Sequence, residues 1–346
     1  MWQVIGQARA LALLQHGLEN GSLAHAYLFV GPEHIGKMTA ALNLARALNC
    51  EASVRPCLKC NSCAKIASGN HSDVQVIRIE LKDEEGEERK VITIKQIQDL
   101  LRSASLPPFE GKHKVFILDY AELLSNDAAN CFLKTLEEPE KNVTFILITT
   151  NEKLLLSTVI SRCQRIEFQP VPANEEAAAL TEKLHIEPER ARLLAALSRG
   201  CPGWAIMAAG DASMLEKRDE NLNRIVSIIK ADAGERFAYV AGLAAGFTKD
   251  RKAVYDVLDM WRDLWRDMML VRLGCTPLIT NVDRKDEIMK IAGSYSLAKI
   301  KNFIKSLESA GLQLKQNVNP RLALEVLMLD IPIEESNKYQ VTSNKE

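Results

Sequence analysis

The chain has 346 residues, 47% of them hydrophobic and 26% charged, with a formal net charge of −1. Its length divided by roughly 150 suggests two or three domains, and the composition is that of an ordinary globular protein. The near-neutral balance excludes a broadly basic nucleic-acid surface; no apolar run approaches the roughly 18 residues of a membrane span and MWQVIGQARA is no secretory leader, so a cytoplasmic chain with no membrane contact is expected.

Residues 7–20 place Ala8, Leu11, Leu14 and Leu18 at helical spacing, with Gly21 positioned to end the helix. AYLFV (26–30) reads as a buried strand running into GPEHIGKMT (31–39), and MTAALNLARALN (38–49) is a strong helix-former. Gly31, Gly36 and Lys37 fit the phosphate-loop pattern of Gly, four residues, then Gly-Lys. A strand, a glycine loop and a helix together offer backbone amides, a helix N-terminus and an ammonium to an anion. Position 38 breaks the pattern: a Met38 thioether cannot supply the hydroxyl that holds Mg²⁺, and Thr39 lies one residue too late to replace it directly. A plain strand-to-helix turn is the competing reading.

Four of the eight cysteines crowd into CEASVRPCLKCNSC. Cys57, Cys60 and Cys63 are each separated by two residues and Cys50 precedes them by seven positions, which supplies a knuckle and a ligand from a neighbouring segment for structural Zn²⁺. An iron–sulfur cluster is the rival, but the bacterial ferredoxin continuation to a further Cys-Pro does not follow Cys63. Reduced free thiols are the remaining alternative. Arg55, Lys59 and Lys65 could offset the charge of a tetrathiolate site.

VQVIRI (74–79) reads as a strand, KDEEGEERK (82–90) as a solvated charged loop, and Thr93 as the N-cap of the next helix. KVFILD (114–119) and VTFILITT (143–150) are continuous apolar runs, as expected of a parallel sheet covered on both faces. Asp119 suits a metal–water shell, yet Tyr120 follows it, and a phenol with a pKa near ~10 is a poor base at neutral pH. Glu122 should point a different way round the turn. Pro139 fits a helix stop after Glu138, and QRIEF (164–168) is a short last strand. Beyond QPVP the pattern is helical: 173–184, 188–198, and longer helices through 214–330 before a polar tail. Trp261 and Trp265, four residues apart, read as core or subunit contact rather than a base-stacking platform.

VIGQ (4–7), AHAYLFVGP (24–32), AANCFLKTLEEP (128–139), FILITTN (145–151), SRCQRIEF (161–168) and NPRLALEVLML (319–329) together resemble the AAA+ clamp-loader family of bacterial DNA polymerase III. The four-cysteine insert belongs to the same pattern. The resemblance implies an α/β fold: a P-loop AAA+ core with a parallel sheet over residues 1–170 (cysteine module at about 50–70), a small helical lid over 171–212, an all-helical collar over 213–332 and a tail over 333–346.

Motor subunits of the family resemble complete ATPases, whereas Lys37-Met38, Asp119-Tyr120 and Trp204 of the GCPGWAI stretch depart from them. Those departures are similar to the family's delta-prime branch. They imply a member that is not catalytic alone and does not bind ATP and Mg²⁺ productively. It would act inside an ATP-driven loader and a DNA-directed DNA polymerase holoenzyme, a nucleotidyltransferase. Gly31, Gly36, Lys37, Thr39, Asp119 and Asn151 would mark a degenerate nucleotide site. Asn151 matches the position that senses γ-phosphate in active relatives, or is only a loop cap. Arg162 of SRC matches the position that reaches a neighbouring subunit's ATP. The implied partners are tau/gamma-type motors and a delta-type subunit in a hetero-oligomeric ring, the sliding clamp, and primed DNA through the complex. Two alternatives stay open: a motor that hydrolyses ATP with Thr39 as a shifted ligand, and a zinc-bearing nucleic-acid module.

Overall fold

The computed structural model describes residues 2–79, 91–247, 249–316 and 318–334. The expected charged loop 82–90 and all but the first two residues of the tail 333–346 lie outside the described residues. The chain divides into two compact units, Met1–His185 with Gly200–Trp204, and Ile186–Arg199 with Ala205–Glu346.

The first unit runs α1 (Ala8–Glu19), β1 (Ala26–Val30), α2 (Lys37–Asn49), α3 (Asn61–Ala67), β2 (Val74–Ile77), α4 (Ile94–Ala104), β3 (Lys114–Leu118), α5 (Asn126–Glu137), β4 (Val143–Thr149), α6 (Ser157–Ile160), β5 (Gln164–Glu167) and α7 (Ala173–Leu184). The five strands form one sheet in the order β2-β3-β4-β1-β5, and every pairing is parallel. Every residue of β1, β3 and β4 is buried, which explains why they read as unbroken apolar runs.

The two-residue side-chain period of a strand sorts these runs between two layers. Tyr27, Phe29, Val115, Ile117, Ile146 and Ile148 pack with α1 and α2. Leu28, Val30, Phe116, Leu118, Phe145 and Leu147 pack with α4 and α5 on the opposite face, where Phe132 meets Phe145 edge-on at 5.0 Å. Thr93 caps α4 through a capping box with Gln96, as its position before an apolar helix predicts. The C-terminal ends of β1, β3 and β4 therefore converge, the place where open α/β sheets present ligand sites.

The second unit is all-helical: α8 (Pro188–Leu197), most of α9 (Pro202–Gly210), α10 (Ala212–Lys230), α11 (Ala233–Phe247), α12 (Arg251–Arg272), α13 (Lys285–Gly293), α14 (Leu297–Lys315) and α15 (Pro320–Leu329). Its core is built on Trp261 and Trp265 of α12, both 0% exposed; Trp265 lies 4.5 Å from Phe303 and 5.4 Å from Tyr295. The pair is core, as its helical spacing suggests. Trp261 Nε1 donates to Tyr239 Oη at 3.3 Å, whereas Trp265 Nε1 is buried without a hydrogen-bond partner among the described residues. No helix among the described residues is long and apolar enough to cross a membrane.

Candidate nucleotide cleft and metal centre

A cavity of about 270 Å³ opens at the convergent strand ends, bordered by Gly36, Lys37, Thr39, Arg78, Asp119 and Tyr120 among others. Gly36 has φ +103°, a conformation open to glycine, and α2 begins at the next residue. The cradle predicted at residues 31–37 is therefore present as a strand–loop–helix. Its functional groups, however, are engaged within the chain. Lys37 is buried and its Nζ donates to the carbonyls of Gly31 and, at 2.6 Å, Pro32. Burial lowers its pKa to about 8, partly offset by the carboxylates of Glu122, Glu33 and Asp119.

Asp119 faces Arg78, whose Nε lies 3.3 Å from its Oδ2. Burial raises the Asp119 pKa above the usual carboxylate range, and the Arg78 charge opposes that shift. Tyr120 takes a left-handed backbone (φ 55°) and its Oη donates to Glu33 at 3.3 Å. Glu122 accepts from Thr150 N at 3.1 Å and Thr150 Oγ1 at 2.7 Å, so its carboxylate ties the end of β4 to the turn after β3. Asn151 does not border the cavity; its Oδ1 caps a short 3₁₀ turn by accepting from Lys153 N. Gly203 N donates to His34 O at 2.8 Å, and a Cβ at Gly203 would lie 2.7 Å from that oxygen, so only glycine allows this approach to the loop.

Arg162 lies apart from this cavity, between α6 and β5. Its guanidinium bonds Glu137 Oε1 at 2.5 Å and the Thr158 carbonyl at 2.9 Å, with the side chain 33% exposed. Two motifs distant in sequence, LKTLEEP and SRC, thus meet through one ion pair.

The sulfurs of Cys50, Cys57, Cys60 and Cys63 all lie within 4.8 Å of one another, and all four thiols are free. Cys50 follows the last residue of α2, and Cys63 lies in α3, so two helices bring the ligands together. Backbone amides donate to the sulfurs, Cys57 N to Cys50 Sγ at 3.4 Å and Cys60 N to Cys57 Sγ at 3.3 Å. The amides of Lys59 and Cys60 hold the Cys57 pKa down to about 6, while burial pushes Cys63 up to about 12. A tetrahedral Zn²⁺ with bonds of about 2.3 Å spaces its sulfurs by roughly 3.8 Å, so this cluster could close on an ion with shifts of about 1 Å.

Of the three cations near the knuckle in sequence, Lys65 has its ammonium paired with the Glu110 carboxylate, whose pKa it holds down at about 2. Asp73 accepts from the amides of Phe109, Glu110 and Gly111 at 2.8, 2.8 and 2.7 Å, and Asn49 Oδ1 accepts from Lys112 N and His113 N. The loop before β3 is thereby pinned beside the cysteine module. None of these residues was singled out from sequence, because each bond joins segments more than 30 residues apart. Arg78 was legible only through strand pairing: Ile77 lies opposite Leu118, so the next residues, 78 and 119, come level.

Residues 6–172 match the model of a family described as DNA polymerase III, delta subunit, and residues 215–332 match DNA polymerase III, delta subunit, C terminal. The chain is 31% identical to DNA polymerase III subunit delta′ of Bacillus subtilis strain 168, over 93% of this chain and 95% of that one. It is 27% identical to DNA polymerase III subunit tau of the same organism over 95% of this chain, and spans only 60% of that longer relative. Among solved structures it is similar to the Bacillus subtilis DNA clamp loader delta protein, with 12% identity, a TM-score of 0.37, and coverage of 93% and 99%.

Proposed function

The chain belongs to the delta-prime family of DNA polymerase III clamp-loader subunits, and from that premise we propose that it is a non-hydrolysing member of the loader. It is related to delta′, gamma and tau, and is a component of a clamp-loader complex. Its AAA+ core is followed by a helical lid and a helical collar, for which we take residues 1–170, 171–212 and 213–332.

The observation that carries the reading is the internal neutralisation of the cleft. Lys37 bonds its own loop carbonyls, and Asp119 faces Arg78. A working phosphoryl-transfer site needs that lysine on the phosphates, a hydroxyl and an acidic residue on Mg²⁺, and a group that orients water. Met38 and Tyr120 supply neither the hydroxyl nor the base. Preserving the fold while dispensing with the chemistry suits a subunit whose contribution is shape and interface.

Arg162 gives this subunit a part in a neighbour's reaction. Its position outside the chain's own cleft supports a role in trans, where a planar, permanently charged fork would meet developing phosphoryl charge on ATP held by a tau/gamma-type motor. In the free subunit Glu137 holds the guanidinium in place. The sliding clamp and primed DNA are engaged through the assembled ring, beside motor and delta-type subunits.

Cys50, Cys57, Cys60 and Cys63 would hold a structural Zn²⁺, whose role when bound is to cross-link the end of α2 to α3. Four protein ligands leave no open position for substrate.

ATP turnover of the purified chain, alone and after addition of its motor partners, tests the central claim. No turnover alone, and normal turnover in the complex, is expected. Hydrolysis by the isolated chain, sensitive to Thr39→Ala, would establish the motor reading in its place.

A further inference from the structure

Glu137 is the last residue of α5, and Arg162 stands in the link between α6 and β5. A carboxylate at the C-terminal end of a helix works against the helix dipole, so helix stability is no reason for one there. What Glu137 does have is a bond from Arg162 Nη2 at 2.5 Å. The other terminal nitrogen, Nη1, donates to the Thr158 carbonyl at 2.9 Å and to Ser161 Oγ at 3.4 Å. One guanidinium is thus held by acceptors from two separate segments. Of its five N–H donors, the Nε–H and one N–H of Nη2 keep no acceptor among the described residues.

Both sides of this clasp are anchored in the same core. Leu136, next to Glu137, is 1% exposed, Val159 of α6 is 0% exposed, and Ile160 and Cys163 pack against the cluster they share. His25 Nε2 bonds the Leu136 carbonyl at 3.0 Å, which ties the end of α5 to the residue before β1. Ordering a long side chain costs conformational entropy, and a fork that is already held loses less of it when it binds. A carboxylate that sequestered the arginine would occupy the whole fork through two parallel bonds. Glu137 takes one bond and leaves donors over for an oxygen from outside the chain.

We propose that Glu137 is a positioning residue for Arg162. Its carboxylate fixes the guanidinium in the orientation from which the remaining Nε–H and Nη2–H meet phosphoryl oxygens of ATP on a neighbouring subunit. The inference rests on the trans-acting reading of Arg162 given above. Glu137 itself touches no nucleotide and acts only through the fork it holds.

The test is made in the assembled ring, with full-length chains carrying Glu137→Ala, Glu137→Gln, Arg162→Ala, or Glu137→Ala together with Arg162→Ala. Clamp loading on primed DNA is read together with kcat and KM for ATP. A pair this exposed contributes little to folding, so the variants enter the ring as folded chains. Glu137→Ala should slow loading by about threefold or more, though less than Arg162→Ala does, because a misaligned group loses much of its effect. It should lower kcat and leave KM for ATP within about twofold, the pattern of an interaction made in the transition state. Glu137→Gln keeps an acceptor oxygen without the charge and should lose less. The double variant should load no more slowly than Arg162→Ala alone, as expected when one residue acts only through the other. Full or faster loading by Glu137→Ala beside a defective Arg162→Ala overturns the positioning role and leaves the trans-acting arginine standing. A double variant slower than Arg162→Ala also overturns it, since Glu137 would then act by another route. Full loading by Arg162→Ala removes the trans-acting reading itself, and the positioning role falls with it.

Discussion

The cysteine knuckle and the phosphate loop sit at opposite ends of α2, and they have treated their functional groups in opposite ways. At the end of α2 four sulfurs converge with amides donating to two of them. At its start three groups of the cleft have partners in the chain: Lys37 its own loop, Asp119 the Arg78 guanidinium, Tyr120 the Glu33 carboxylate. On the reading proposed above, the contrast separates a site kept for its ligand from a site kept for its shape. A convergent set of unmet donors asks for something from outside, whereas a set that satisfies itself has become structure.

The largest effect should come from the knuckle. Purified protein is expected to carry about one zinc per chain, and Cys63→Ser should lose it. Structural zinc is worth about 10–16 kcal/mol in small zinc peptides; here the helices around it also pack on the sheet, so a smaller loss of at least about 3 kcal/mol is expected. At roughly 2–4 °C per kcal/mol for a unit of this size, melting of the first unit should fall by about 6–12 °C. Metal analysis and calorimetry check both parts. A reduced preparation with no zinc, or one with an iron–sulfur absorption band, would remove the comparison's first half.

Arg162→Ala comes next, and its effect should be confined to the assembly. In the free chain the Glu137 pair is partly exposed, and such pairs are worth about 0–1 kcal/mol, so folding and zinc content should barely change. In the ring, loss of a trans-acting arginine can cost roughly 10³–10⁵ at the site it serves. Only one neighbour's site is affected, so total ATPase should fall modestly and loading on primed DNA further. Arg162→Lys should rescue poorly, because an ammonium cannot reproduce the planar fork. Full loading by the Ala variant would leave the subunit a purely structural wedge.

These two experiments rest on residues that sequence alone could single out, and it is instructive why. Cysteine spacing and the SRC tripeptide are local patterns, and β1, β3 and β4 were legible because a sheet covered on both faces demands continuous apolar runs. Short helices such as α3 and α6 carry too few residues for a period to emerge. The partners that redefine the cleft were invisible for a different reason. Lys37 is part of a motif whose usual target is a phosphate, and nothing in GPEHIGKMT announces that its ammonium turns back onto Gly31 and Pro32. Likewise nothing local to Lys65 announces that the fold brings Glu110, 45 residues on, to its ammonium.

The inward turn of Lys37 has a pH signature of moderate size. Its pKa is about 8 in the folded chain against an ordinary 10.5. Between those values the unfolded chain binds more protons, so this residue's contribution to stability rises with pH from about 8 to 10.5 and is lost as pH falls through about 8. The full difference is a few kcal/mol at most. Denaturant unfolding of the parent chain and of Lys37→Met across that window should give curves that converge toward high pH. Parallel curves would mean that the ammonium is solvated rather than buried in its loop.

The smallest effect should come from the same lysine, measured in the ring. In a working phosphate loop Lys37→Ala would remove the charge on the β- and γ-phosphates and stop that site. Here the ammonium already bonds two carbonyls and is buried, so a nucleotide would have to break those contacts before gaining from the charge. Even a nucleotide that did so would find Asp119 facing Arg78 and no hydroxyl at Met38 to complete a metal shell. Lys37→Ala should therefore leave clamp-dependent ATPase and loading within about twofold of the parent ring, a change under about 0.5 kcal/mol in activation energy. The measurement is turnover of the reconstituted loader on primed DNA, with Arg162→Ala alongside to show that the assay detects a real loss. If Lys37→Ala removed most of the hydrolysis while Arg162→Ala did not, the cleft would be the working site and the arginine the bystander, and the contrast between the two ends of α2 would have to be abandoned.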